Sequence, residues 1–343
     1  MYWAIDPFSP HRQYTDISPL MDHIFGPVNS RRLGRSLGID LFSDKVCNLN
    51  CIYCEVGATD RLTCERAEYV PTEKILGEID RYFAEPGRER EIDVVTVTAS
   101  GEPTLHSGFG RILTHLKKTT GKKIAVLTNG TTLMDAQIRR ELAVADVVIP
   151  SLDAAREKSF RKIDRPATCL DLKKIIEGLT VFSHEYTGEI WLEILFALNV
   201  NDGQADVQAL LEVIAGMRLD RIQLNTVARP PLESFARPVG NDRMREIAAT
   251  MRKNNPGIPV DLLARSGGTG AEDAEVVFGH GRSRQDIMDD ILQMLKRRPC
   301  TAADIDAIFP CGGPEKVEQY LTPLVRSGQV RTRVHGDRVY YLP

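Results

Sequence analysis

Short apolar, β-branched runs alternate with amphipathic stretches along most of this chain, and few folds accept that alternation. Runs at 36–42, 93–98, 123–127, 147–150, 189–198 and 221–225 have the length and composition of strands. Stretches at 72–83, 109–118, 134–143, 170–184 and 206–217 carry apolar residues three and four apart, the spacing of a helix with one buried face. Strand and helix in regular succession argue for βαβ units and a mainly parallel sheet. The pattern predicts an α/β fold, a partial (β/α)6 TIM-like barrel, with a helix at 242–253 and a short strand at 259–263 closing one edge. An open doubly wound sheet satisfies the same periodicity.

Beyond a polar, glycine-containing stretch the pattern changes. Helical runs at 284–296, 301–308 and 314–326 precede two short strands around His335-Gly336-Asp337, which suggests a small winged helix-turn-helix. Pro314 at a helix start and Gly328 past its end punctuate the third run. The expected division is 1–265 for the barrel with an amino-terminal extension, 266–283 for a linker and 284–343 for the winged-helix-like domain. No internal repeat and no low-complexity segment interrupts this plan.

With 343 residues, 42% hydrophobic and 27% charged, the chain has the composition of a globular protein with room for a full core. A formal charge of -3 excludes a generally basic protein, though a local patch remains compatible with nucleic acid. The start lacks the basic and apolar regions of a secretory signal and no stretch is apolar enough to span a bilayer, so a cytoplasmic location with no membrane contact is expected.

The seven cysteines are uneven. Cys47, Cys51 and Cys54 crowd one short segment directly after the first barrel strand, where parallel α/β folds place their chemistry. Cys64, Cys169, Cys300 and Cys311 are scattered and are expected to be ordinary thiols. A structural zinc would want a fourth ligand, which Cys64 supplies at a stretch. A buried apolar trio is opposed by the polar Asn48 and Asn50 between the thiols. Soft thiolates favour an iron–sulfur cluster, and three of them leave one iron of a [4Fe–4S] cube open to another ligand.

On this motif, Cys47-Asn-Leu-Asn-Cys51-Ile-Tyr-Cys54, the chain resembles the radical S-adenosylmethionine (SAM) superfamily over roughly residues 25–229. The resemblance implies one [4Fe–4S] cluster on Cys47, Cys51 and Cys54, whose open iron is chelated by SAM, and reductive cleavage of SAM to a 5′-deoxyadenosyl radical. It also implies a reduced flavodoxin or ferredoxin-type electron donor. Ser100-Gly101-Glu102-Pro103-Thr104 stands where the superfamily carries its GGE-like motif, so Gly101, Glu102 and Pro103 are expected near the amino group of SAM. A carboxylate suits an ammonium and a glycine lets backbone approach closely. Tyr53 matches the aromatic position beside adenine. Thr128, Asn129, Ser151, Asp153 and Asn199 sit where later strands end and are the further expected SAM contacts; each is equally suited to a turn or a cap.

Phe25–Asp40, Phe160–Pro166 and Leu224–Pro230 resemble the bacterial branch related to wyosine-base synthases. No cysteine precedes Cys47, so the further cluster ligands of the tRNA-modifying enzymes have no counterpart. Among the cations of these segments, Arg31, Arg32, Arg35, Arg161, Lys162, Arg165 and Arg229 are suited to bind an anion or to pair locally. Arg229, Arg165 and Asn225 are the expected substrate contacts. The carboxy-terminal residues Lys316, Arg331, Arg333 and Arg338 are placed to touch RNA, DNA or a peptide. Ten basic against eight acidic residues from Arg282 onward give that contact little electrostatic support. Two functions follow: a radical SAM enzyme acting on an RNA base, a peptide or a small metabolite, with no catalytic residue identifiable, or a non-enzymatic iron–sulfur regulator that binds DNA.

Overall fold

The structure, a computed structural model, describes residues 21–30, 32–263, 284–309 and 311–343. The expected linker, most of the amino-terminal extension and Arg31 lie outside the described residues. The chain opens with an antiparallel pair, β1 (Ile24–Ser30) and β2 (Gly34–Asp40), bulged between Phe25 and Val28. Two-residue strands β3 (Val46–Cys47) and β4 (Arg61–Leu62) bracket the cysteine segment. There follow α1 (Thr72–Ala84), β5 (Val94–Thr98), α2 (Phe109–Thr120), β6 (Lys123–Thr128), α3 (Ala136–Leu142) and β7 (Val147–Pro150). Then come α4 (Glu157–Ile163), α5 (Leu172–Glu185), β8 (Glu189–Phe196), α6 (Gln204–Ile214), β9 (Arg221–Thr226), α7 (Asn241–Asn254) and β10 (Val260–Leu262).

One sheet runs β1-β2-β5-β6-β7-β8-β9-β10, parallel from β2 onward. The six expected strands are its centre, β10 extends one edge as expected, and β1 adds an antiparallel edge that the sequence reading lacked. The sheet is curled. Arg32, in the β1–β2 turn, donates to Glu193 on β8 and to Gln223 on β9, the latter at 2.9 Å. In a flat sheet β8 stands four strands from β2, roughly 19 Å at the usual spacing, beyond the reach of one side chain.

The period of two divides each strand between two environments. Leu37 and Ile39 on β2, Val95 and Val97 on β5, and Ile124 and Val126 on β6 bury outward against the helices. Leu192 and Ile194 on β8 and Ile222 and Leu224 on β9 continue that apolar face. Helix α2 answers with Phe109, Ile112, Leu113 and Leu116, one stripe at i, i+3, i+4 and i+7, all fully buried. Ser36, Gly38, Asp40, Thr96, Thr98, Glu193 and Asn225 face inward. Side-chain caps fix helix starts that periodicity leaves loose: Asp135 accepts from Gln137 N–H at 2.7 Å, and Asp171 from Lys173 N–H at 2.9 Å.

The carboxy-terminal region is three helices, α8 (Arg284–Arg297), α9 (Ala302–Ile308) and α10 (Pro314–Arg326), followed by a hairpin of β11 (Arg331–His335) and β12 (Arg338–Leu342). A complete capping box, Thr301 with Asp304, starts α9. Ile291, Leu295, Ile305, Val317, Leu321 and Tyr341 form its core, and Val28 of β1 belongs to the same cluster. The module is therefore docked on the barrel. Tyr340 Oη donates to Ala228 O at 3.0 Å and Arg333 to Pro231 O at 3.1 Å. Arg297 reaches the buried Asp40, its Nε donating to Oδ2 at 3.1 Å, and lies over the ring of Phe25. No described helix is long and apolar enough to cross a membrane.

Candidate active site

The cysteine segment is strapped to the loop that follows β5. Val46 N–H donates to Ser100 O and Glu102 N–H to Val46 O, each at 3.0 Å. Gly101 makes that approach possible: its φ is +136°, and a Cβ there would strike the Val46 carbonyl. Asp40, where β2 ends, accepts from Ser100 N–H and Oγ, both at 2.8 Å, so the same loop is fixed from below.

Cys47 is buried, Cys51 and Cys54 half-buried. Each sulfur has a polar neighbour. Asn129 Nδ2 donates to Cys47 Sγ at 3.6 Å, Lys45 Nζ to Cys54 Sγ at 2.9 Å, and Cys51 Sγ donates to Asp164 Oδ1 at 3.5 Å. Burial pushes the Cys47 thiol up to about 12 and that of Cys51 well above its ordinary value, so without a metal the protein holds both as thiols. Donors aimed at sulfur are the arrangement that supports cluster thiolates. Among the described residues no three His, Cys, Asp or Glu side chains converge tightly enough for a single metal ion. Cys64 and Cys169, expected as separate thiols, instead form a disulfide across 105 positions, which removes Cys64 from any zinc set. The bond joins the segment after β4 to the loop between α4 and α5. Cys300 is a buried core thiol of the carboxy-terminal module and Cys311 is half-buried.

Glu102 is fully buried and already saturated. Its Oε1 accepts from Thr104 N–H at 3.1 Å, Thr104 Oγ1 at 2.6 Å and Thr128 Oγ1 at 2.7 Å, and its Oε2 from Asn129 N–H at 2.6 Å. Burial raises its pKa while these bonds oppose the rise. The carboxylate expected to face an ammonium thus holds together the β5 and β6 loops, with Pro103 buried beside it, while Ser100, Gly101, Thr128 and Asn129 line the open space.

Tyr53 Oη donates to Asp153, which also accepts from Leu195 N–H at 2.8 Å. Burial lifts Asp153 to about 6, against those two bonds, and lifts Asp164 well above the usual carboxylate range, with the neighbouring Asp153 charge adding to it. Tyr53, Ser151, Asp153 and Asp164 line one cavity of about 680 Å³, within the range of small-molecule sites, with Asn225, Arg229 and Glu55. Arg229 pairs with Glu55 at 2.8 Å, which holds its pKa up.

Two expected contacts are displaced. Asn199 is exposed, with φ +59°, and its N–H donates to Asp202 Oδ1 at 2.7 Å: it is a turn residue away from the cavity. Asn201, two positions on, is the buried one, bridging Asp153 O and Leu195 O from its Nδ2. Arg165, with φ +45°, pairs with Glu233 beside the Phe235 ring. The other nominated cations resolve as local pairs, Arg32 with Glu193, Arg35 with Asp93 and Arg161 with Glu157, and Lys162 donates to Asn199 O at 2.9 Å. Sequence reasoning missed Lys45, Asp40 and Asp164. Asp164 lies inside the Phe160–Pro166 segment already singled out for its cations, and Asp40 was legible as a lone carboxylate ending an apolar strand. Nothing in the sequence signals that Arg297, Arg298, Arg338 and Tyr340 of the carboxy-terminal module line the same cavity.

Comparison with known proteins agrees with this geometry. Residues 45–211 match the model of the Radical SAM superfamily. A UPF0026 protein of Helicobacter pylori is 30% identical over 321 residues, 93% of this chain and 96% of that protein. GTPase Obg of Brachyspira hyodysenteriae is 32% identical over 318 residues, 93% of this chain, and the chain spans 45% of the length of that relative. A radical SAM methyltransferase from Sphaerobacter thermophilus shares the fold, with a TM-score of 0.51 at 17% identity over 66% of each chain.

Proposed function

The chain belongs to the UPF0026 family and carries a radical SAM domain, and on that premise we propose that it binds one [4Fe–4S] cluster through Cys47, Cys51 and Cys54 and acts on a substrate enclosed in the barrel. The observation that carries this reading is the set of three thiols, each with a polar partner, of which Cys54 lines the cavity. When bound, cluster and SAM supply a 5′-deoxyadenosyl radical by reductive cleavage of the SAM C–S bond.

The chain's own residues hold and shield that chemistry. Lys45 and Asn129 steady the sulfurs of Cys54 and Cys47. Gly101 brings backbone to the cofactor, and Glu102, through Thr104, Thr128 and Asn129, keeps the surrounding loops in register rather than touching the ammonium itself. Tyr53, Ser151 and Asp153 line the adenosyl side. Asp153 and Asp164, both raised by burial, put hydrogen-bonding carboxyl groups on this side. A reduced flavodoxin or ferredoxin-type protein is the matching electron donor.

The element order of 284–343 supports a winged-helix-like module. Arg333 of its wing donates to the Pro231 carbonyl of the barrel and Arg338 lines the cavity, which favours an enzyme over a DNA-binding regulator. The test is anaerobic reconstitution, reduction with SAM present and assay of 5′-deoxyadenosine against Cys51→Ala. Formation by the parent protein alone supports the reading; no formation from a cluster-loaded, SAM-bound protein overturns it in favour of the regulator.

A further inference from the structure

We propose that the carboxy-terminal module is the roof of the active site and that Arg298 is the anchor for an anionic group, carboxylate or phosphate, on the substrate. This deepens the reading of the cavity as a radical SAM site and rests on it.

Arg229, Arg297, Arg298 and Arg338 all line the cavity, the last three from the carboxy-terminal module. Arg297 is neutralised by Asp40 and Arg229 by Glu55. Arg298 is different. Among the described residues its buried Nε has no hydrogen-bond partner, its Nη2 reaches the sulfur of Met294 at 3.9 Å, and it makes no ion pair. Asp304, the roof's own acid, is engaged in the capping box, accepting from Thr301 N–H at 3.0 Å. An unsatisfied guanidinium nitrogen in a partly closed site is costly unless a ligand completes it. A guanidinium presents a planar fork of donors that matches a carboxylate or a phosphate edge. An anionic group seated on Arg298 orients the substrate beneath the module. The docking contacts of Tyr340 and Arg333 hold the roof where Arg298 lines the cavity.

The experiment uses the full chain, anaerobically reconstituted and at fixed ionic strength, with thermal shift as readout and two probes, inorganic pyrophosphate and succinate. Arg298→Gln is compared with the parent, with Arg298→Lys as partial rescue and with Arg326→Gln, an equal charge loss at an exposed position of α10. At least one probe should stabilise the parent at millimolar concentration. Arg298→Gln should weaken that probe's apparent affinity about tenfold or more, the scale of a lost charge-assisted hydrogen bond. Arg298→Lys should lose less, and Arg326→Gln should match the parent. The probe that responds identifies the anion as phosphate or carboxylate. Stabilisation of the parent by neither probe, or equal losses in Arg298→Gln and Arg326→Gln, overturns the proposal. If Arg298→Gln fails to fold, Arg298→Lys carries the decision: affinity clearly below that of Arg326→Gln supports recognition by the guanidinium fork, and affinity equal to it overturns the proposal. Formation of 5′-deoxyadenosine by the parent, measured separately, tests the underlying reading, so the two fail independently.

Discussion

On β8 the side chains of Ile190, Leu192, Ile194 and Phe196 point outward and are fully buried, while Trp191, Glu193 and Leu195 point inward and are only partly covered. On β2 the same division sets Leu37 and Ile39 against Ser36, Gly38 and Asp40. The outward face is apolar because it meets the apolar stripes of the helices, such as Phe109, Ile112, Leu113 and Leu116 of α2. The inward face carries hydroxyls, carboxylates and amides that satisfy each other across strands, as in the 2.6 Å bond between Ser36 and Thr96. Burial of apolar surface holds the barrel from outside, and the inside is left to bind. Each strand thus serves stability and function through alternate residues.

The sharpest break between the faces is expected at the cysteine segment. Cys51→Ala should abolish cluster retention, read as iron content, and reduce 5′-deoxyadenosine to background, while leaving the far-ultraviolet circular dichroism of the outer helices intact. Arg297→Met should be the most destabilising inward change, about 3–5 kcal/mol, because it strands the buried Asp40 carboxylate; urea unfolding measures it, and a loss under about 1 kcal/mol would mean that the Ser100 bonds alone satisfy Asp40. On the outward face Ile39→Ala should cost about 2–5 kcal/mol by the same measurement, with no direct effect on SAM binding. Thr96→Val, inward, removes one hydroxyl pair beside the cavity and should cost about 1 kcal/mol or less. Equal costs for Ile39→Ala and Thr96→Val would erase the distinction between the faces.

Most of the barrel was legible because it is written locally. β-Branched runs marked the strands and i, i+3, i+4 spacing marked the long helices, with ends shifted by up to three residues, at α5 by the cap Asp171. β1 was hidden because Gly26-Pro27 and the bulge break its alternation, and α4 was not read from the sequence. The cysteine trio was legible because its three members lie within eight residues. Arg165 and Asn199 both sit in left-handed backbone, and neither is among the residues that line the cavity. The Cys64–Cys169 bond and the Arg297–Asp40 pair join positions 105 and 257 apart, and no local signal announces such a meeting.

The sharing of one apolar cluster by Val28 and the carboxy-terminal helices bears on the order of assembly. A ribosome makes β1 long before it makes α8, so Val28 waits without its partners while the whole barrel forms. During that interval the inward strand ends lack their cover, and docking of the module completes the wall that Arg297, Arg298, Arg338 and Tyr340 give the cavity.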